Sequence, residues 1–178
     1  GRNFAYGVRE FPMGAMNNGI AQHGGLKVFG ATFFVFSDYE RPAIRLRSIQ
    51  GLSVVSEYTH DSIYVGEDGP THQPIEHLMA CRAIPNLLVF RPADANEAIV
   101  ASKMAFELID RPALVLLTRQ GLPVFDRNTY PPAESMYKGG YIMSDCEGDP
   151  EVVIIATGSE VWVSLEAKGL VNDVKVRV

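Results

Sequence analysis

The chain has 178 residues, a formal charge of −5 and 47% apolar side chains. That apolar share suffices for a packed core, and the ordinary charge content excludes a disordered chain. An acidic balance argues against a nucleic-acid partner, and no apolar run reaches the ~20 residues of a membrane helix.

The length suits one full domain plus a piece of another, and the opening GRNF, without a methionine, reads as a cut edge. Residues 9–24, REFPMGAMNNGIAQHG, predict a helix stopped by Gly24 and Gly25. Residues 28–36 read as a buried strand entering a loop, and 37–49 as a helix carrying basic side chains. A short strand follows over 52–58, then a helix over 74–84 with Pro74 in its first turn. Residues 86–92 read as a strand. Asp94 and Glu97 form a capping-box pattern opening a helix over 95–109, and 111–119 is a strand bounded by Pro112. Strands apolar on both faces and separated by helices predict an α/β fold built on a parallel sheet.

Residues 121–139 mix proline, charge and scattered aromatics without period and read as a linker. A second unit follows: a strand over 151–159 turning at Gly158–Ser159, a short helix, and a strand over 174–178. It stops on its second strand and reads as truncated. Cys81 and Cys146 stand apart, without a ligand pair, and read as reduced thiols of a cytosolic protein.

Ligands of α/β proteins sit at the carboxyl ends of parallel strands. The stretch THDSIYVGEDGPTHQP, residues 59–74, leaves such an end and gathers His60, Asp68 and His72, while Arg91 and Arg119 follow two other strands. These groups are expected to converge on one crevice. His72 and His77 are five apart, which misaligns them as a helical zinc pair. Ser62 and Ser159 lack the G-x-S-x-G elbow, and no glycine-rich phosphate loop is present. Phe33, Phe36 and Tyr39 recur every third residue, and a turn near Phe36 would let them share a face able to stack on a flat heterocycle. Glu10 opens the first helix, where an acid complements the helix dipole.

GRNFAYGVREFPMGAMNNGI, GATFFVFSDYERPAIR, THDSIYVGEDGPTHQPIEHL, PNLLVFRPAD and TRQGLP together resemble transketolase, in order and spacing, along the whole chain. By that resemblance, residues 1–122 are an N-terminally truncated, three-layer pyrimidine-binding domain, 123–139 a linker and 140–178 the beginning of the C-terminal domain. The resemblance implies a thiamine diphosphate enzyme of the pentose phosphate pathway. It would move a two-carbon ketol unit from a ketose phosphate to an aldose phosphate, as a cytoplasmic homodimer with the cofactor between subunits. The Mg2+ or Ca2+ ligands would lie outside these residues, and the piece alone would be inactive. Glu10 matches the acid that holds or shares a proton with the aminopyrimidine, and Phe36 the aromatic packed on that ring, with Phe33 and Tyr39 beside it. His60, Asp68 and His72 match sugar-contacting residues, His72 also lying near the cofactor's amino group. Arg119 matches the arginine on the substrate's terminal phosphate, which its fork suits.

Two departures stand out: Ser56 and Glu57 occupy strand positions where the family runs apolar, and Gly169 lies inside a short last helix. Dihydroxyacetone synthase shares nearly all these motifs. Deoxyxylulose phosphate synthase and the pyruvate dehydrogenase beta chain lack the pattern after Thr59. A non-catalytic pyrimidine-binding-like module would need none of the six groups Glu10, Phe36, His60, Asp68, His72 and Arg119.

Overall fold

A computed structural model describes residues 2–178 and divides them into two compact units. The first comprises the chain up to Phe90 together with Ala105–Arg119; the second comprises Arg91–Met104 and Gln120–Val178.

The first unit carries a four-stranded sheet, β1 (Val28–Phe33), β2 (Val54–Thr59), β3 (Leu88–Phe90) and β4 (Ala113–Leu116), in the order β1-β2-β4-β3. Every pairing is parallel, with Val28 opposite Val54, Val55 opposite Ala113 and Leu88 opposite Ala113. The parallel α/β architecture expected from the apolar strands is present. Helices α1 (Glu10–His23) and α2 (Ser37–Gln50) pack on each other, α1 also against β1, and α3 (His77–Arg82) against β3.

Helix α1 ends where the double glycine places its stop: Gly24 takes φ +85° and donates its N–H to the carbonyls of Ile20 and Ala21. Its buried face is Met13, Gly14, Asn17 and Asn18, small and polar rather than an apolar stripe. A side chain at Gly14 would come within 2.6 Å of Glu40 Cγ, so the glycine is what lets α1 lie close on α2. Asn18 fastens the contact by donating to the Ala43 carbonyl at 2.9 Å.

The core gathers Phe34, Ile44, Tyr58, Cys81, Ile84, Leu87, Leu114 and Leu116. Beside it lies a polar cluster that the sequence did not disclose. Arg47 and Glu40 form an ion pair with both side chains fully buried. Arg47 Nη1 also donates to Ser56 Oγ at 2.7 Å, and Tyr58 OH donates to Glu40 Oε2 at 2.7 Å. Ser56, polar where the family runs apolar, is thus a partner of the buried Arg47. Burial, with the Glu40 carboxylate adding to it, pushes the Tyr58 hydroxyl well above its ordinary pKa.

Helix α4 (Ala95–Glu107) begins with the capping pair read from sequence, since Asp94 Oδ1 accepts from the Glu97 N–H at 2.9 Å. The returning bond lands one residue early, with Glu97 Oε2 accepting from Ala93 N–H at 2.8 Å. Asp94 also accepts from the Phe125 N–H at 3.0 Å and from Arg127 Nη2 at 2.7 Å. Residues 121–139, patternless in sequence, are thus held down. Phe125 is buried with Ala93 and Met143, and Tyr130, Tyr141, Trp162 and Leu165 pack around them. The second unit also holds α5 (Glu160–Leu170) and a two-residue parallel pair, β5 (Val152–Val153) and β6 (Val176–Arg177).

Several elements are shorter than their sequence signals, the strand over 111–119 being Ala113–Leu116 and that over 174–178 being Val176–Arg177. The apolar run over 151–159 yields only two paired residues, because β6 offers only two partners, and Ile155 stands 91% exposed. The helix expected over 74–84 spans six residues, and Pro74 is buried ahead of it. The strand expected over 86–92 is Leu88–Phe90.

Candidate active site

The carboxyl ends of β1, β2 and β4 lie side by side, and the backbone ties their exits together. Leu117 N–H donates to the Tyr58 carbonyl at 2.8 Å, and Asp61 N–H donates to the Leu117 carbonyl at 3.2 Å. Ser62 Oγ and Thr118 Oγ1 share a hydrogen at 3.0 Å. The loop after β2 is thereby latched to the exit of β4, and Val65, fully buried within the 3-10 turn Ile63–Val65, anchors its middle.

At the exit of β1 the chain turns, as the three-residue spacing of aromatics foresaw. Residues Phe34–Phe36 form a 3-10 turn leading straight into α2, with Phe34 buried in the core. Phe33 and Phe36 are nearly parallel, at 11° and 6.1 Å between centroids, and Tyr39 lies 6.1 Å from Phe36. His60 stacks on Phe33 at 3.7 Å and 20°. His72, in the 3-10 turn Pro70–His72, meets Phe36 edge-on at 5.3 Å. His60 holds φ +64°, a left-handed conformation that a side-chain-bearing residue adopts at a cost and that clusters at functional sites.

Each imidazole is oriented by the threonine before it: His60 Nδ1 lies 2.9 Å from Thr59 Oγ1, and His72 Nδ1 lies 2.9 Å from Thr71 Oγ1. Among the described residues neither Nε2 atom has a hydrogen-bond partner. Rings at this spacing leave no slot between Phe33 and Phe36. They present an apolar face edged by imidazole nitrogens, which suits a flat heterocycle bearing polar ring atoms.

Arg119 follows β4, and its guanidinium lies over Gly66 with Glu67 3.9 Å away. Asp68 is exposed in the same loop, and Glu10 stands half-buried at the head of α1. The rings and imidazoles are thus gathered by mutual contact, whereas Glu10 and Asp68 join them by element only. Arg91, expected to join the same crevice, belongs to the second unit. It is held there, donating to the Thr157 carbonyl at 2.7 Å and pairing with Glu160, its side chain 9% exposed. Sequence reasoning also missed the two threonines and Gly66. A glycine at a strand-end loop was the available signal for the last.

Among the described residues, Asp38, Glu76 and His77 form one group of possible metal ligands. His77 Nε2 is already on Asp38 at 3.0 Å and both carboxylates are exposed, so the group reads as a polar pair with a neighbour. A depression of about 260 Å³ in the first unit is lined by Arg41, Arg45, Ala80, Ala83, Ile84 and Pro85, none of them a candidate site residue. No helix among the described residues is long and apolar enough to cross a membrane.

Fold and site together define a parallel α/β domain whose strand ends carry a face of aromatic rings and imidazoles. Comparison with known proteins names the kind. The transketolase pyrimidine binding domain matches residues 1–124. Transketolase of Geobacillus stearothermophilus is 56% identical over 169 residues, which cover 94% of this chain and 25% of that protein. Pichia stipitis transketolase, solved with sedoheptulose-7-phosphate, superposes with a TM-score of 0.87 at 43% identity, covering 97% of this chain and 25% of that one. A split-gene transketolase solved as an inactive β4 tetramer is 30% identical with a TM-score of 0.72, covering 98% of this chain and 55% of its own. This chain belongs to the transketolase family and spans about a quarter of the length of the full-length relatives it matches.

Proposed function

We propose that this chain supplies the aminopyrimidine-binding and sugar-reading half of a transketolase. The whole protein would transfer a two-carbon ketol unit from a ketose phosphate to an aldose phosphate in the pentose phosphate pathway. It works in the cytoplasm as a homodimer, each site completed by another subunit. Residues 1–122 are the pyrimidine-binding domain, 123–139 the connection and 140–178 the opening of the C-terminal domain. The observation that carries the reading is the stack of His60 on Phe33, with Phe36, Tyr39 and His72 around it, at the strand ends of a family member.

Those residues fit the pyrimidine half of thiamine diphosphate, being an apolar face with imidazole nitrogens at its edge. Bound thiamine diphosphate supplies the carbanion-stabilising chemistry of ketol transfer. Phe33, Phe36 and Tyr39 hold the ring plane. Glu10 keeps a proton on its carboxyl oxygen and shares it with a ring nitrogen, a general acid–base role. His72 serves both the ring's amino group and the sugar, while His60 and Asp68 take sugar hydroxyls. Arg119 takes the terminal phosphate through its planar fork. The divalent ion, Mg2+ or Ca2+, and the diphosphate are held by residues outside this chain. The pyrimidine face alone then retains little affinity, since charge-assisted bonds to the diphosphate are the strong ones. The inactive state of the split-gene relative accords with that division.

The test is a coupled assay on xylulose 5-phosphate and ribose 5-phosphate, beside calorimetric titration with thiamine diphosphate and magnesium. The full-length protein is expected to turn over. The isolated chain is expected to show no turnover and binding no tighter than about millimolar, roughly −4 kcal/mol. Turnover or micromolar binding by the isolated chain, or an inert full-length protein, would overturn the proposal.

A further inference from the structure

Gly66 follows the buried anchor Val65, at φ +92° and ψ −141°, a region that residues with a side chain rarely adopt. A Cβ built there would lie 3.3 Å from Arg119 Nη1, 3.4 Å from Cζ and 3.8 Å from Nε. Three atoms of one planar group at such similar distances mean that the guanidinium lies flat along the glycine rather than pointing at it. The Arg119 side chain is 44% exposed, so the fork remains within reach of a ligand from solvent. Among the described residues, the carboxylate paired with it is that of Glu67, 3.9 Å from Nη2 and 93% exposed. A charge so exposed is screened and holds the arginine weakly. The glycine and the latched loop beneath it are therefore what set the plane of the fork.

We infer that Gly66 is a positioning residue for anion recognition: its bare backbone is the floor on which the Arg119 guanidinium lies flat, fixing the fork for a phosphate. The inference rests on the proposed reading of Arg119 as the phosphate ligand. Bidentate recognition depends on the orientation of the plane as well as on charge. A methyl group at position 66 would lift the near edge of the guanidinium and force the loop out of its positive φ. Both effects reach the phosphate through Arg119.

The experiment compares Gly66→Ala, Arg119→Ala and the double variant in the full-length enzyme, with ribose 5-phosphate and phosphate-free glycolaldehyde as acceptors. Gly66→Ala is expected to raise KM for ribose 5-phosphate about tenfold relative to its effect on KM for glycolaldehyde, equivalent to about 1.4 kcal/mol. In the Arg119→Ala background the same substitution should add less than about twofold, because coupled residues fail additivity in this way. An equal loss on both acceptors, or an undiminished loss without Arg119, would assign Gly66 to the loop as a whole and overturn the inference. If Arg119→Ala leaves KM for ribose 5-phosphate unchanged, the phosphate reading falls and the inference with it. If Arg119→Ala is selective and Gly66→Ala is silent, only the inference falls. Should Gly66→Ala fail to fold, the double variant decides. Folding restored by removing the guanidinium supports the contact, and continued failure overturns it.

Discussion

Breaking the buried pair between Glu40 and Arg47 should be among the most costly single changes in the first unit. Both side chains are fully buried, and among the described residues Arg47 bonds Glu40 and Ser56, its Nε being left without a partner. Glu40→Gln removes the compensating charge and leaves a guanidinium in the core, at a cost of about 3–5 kcal/mol. Arg47→Met leaves the Glu40 carboxylate with the Tyr58 hydroxyl alone, at a similar cost. Replacing both by methionine removes both charges and strands only the hydroxyls of Tyr58 and Ser56, each worth about 1–3 kcal/mol if left unsatisfied. The double variant should then be no worse than either single one, a coupling of several kcal/mol. Urea unfolding followed by far-ultraviolet circular dichroism measures all three. With about 5–15 kcal/mol of total stability typical of a domain, each single loss should shift the midpoint strongly. Single losses under about 1 kcal/mol that simply add would refute the view that burial makes this pair all-or-none.

Other expectations follow from the same packing. Gly14→Ala puts a methyl group 2.6–2.9 Å from Glu40 and Ala43, and should cost about 1–3 kcal/mol in the same unfolding experiment. Asp94→Ala removes the α4 cap and the anchor of Phe125 and Arg127 together; a loss of about 3–5 kcal/mol is expected, with the near-ultraviolet signal of Trp162 changing as its neighbour Phe125 loosens. Burial pushes the Cys81 thiol from 9.0 up to about 11. Its folded value lies above the unfolded one, so its contribution of about 2–3 kcal/mol is full below pH 9 and fades as the pH rises towards 11, which denaturation at stepped alkaline pH would detect. Cys146, the more accessible thiol, should react first with a maleimide at neutral pH.

The parts of this fold that sequence discloses are those set by local chemistry. Gly24 ends α1 because only a residue tolerant of φ +85° closes a helix that way, and Asp94 with Glu97 opens α4 because carboxylates meet its free N–H groups. The meeting of His60 and His72 with the aromatics of the β1 exit was legible too, since the loop after Thr59 leaves the strand beside β1 with an uncommon density of polar groups. What stayed hidden depends on partners far along the chain. Arg47 looks like one of several surface cations of α2 until Glu40, Ser56 and Tyr58 enclose it. Arg91 shows no sign in sequence of its contacts with Thr157 and Glu160, more than sixty residues on. The segment after Gly121 has no period because Phe125, Tyr130 and Arg127 are held one by one, through Asp94 and the aromatic cluster, rather than by a repeating face.

The central claim, that this chain brings the proton-holding acid to the cofactor's pyrimidine, is tested most directly by Glu10→Gln in the full-length protein. Proton exchange at the reactive thiazolium carbon of bound thiamine diphosphate can be followed by NMR, apart from any sugar chemistry. Glutamine keeps the size and helix position of Glu10 but cannot pass a proton, so exchange should slow by about 100-fold or more while circular dichroism is unchanged. Exchange at the wild-type rate in a folded Glu10→Gln protein would contradict the account.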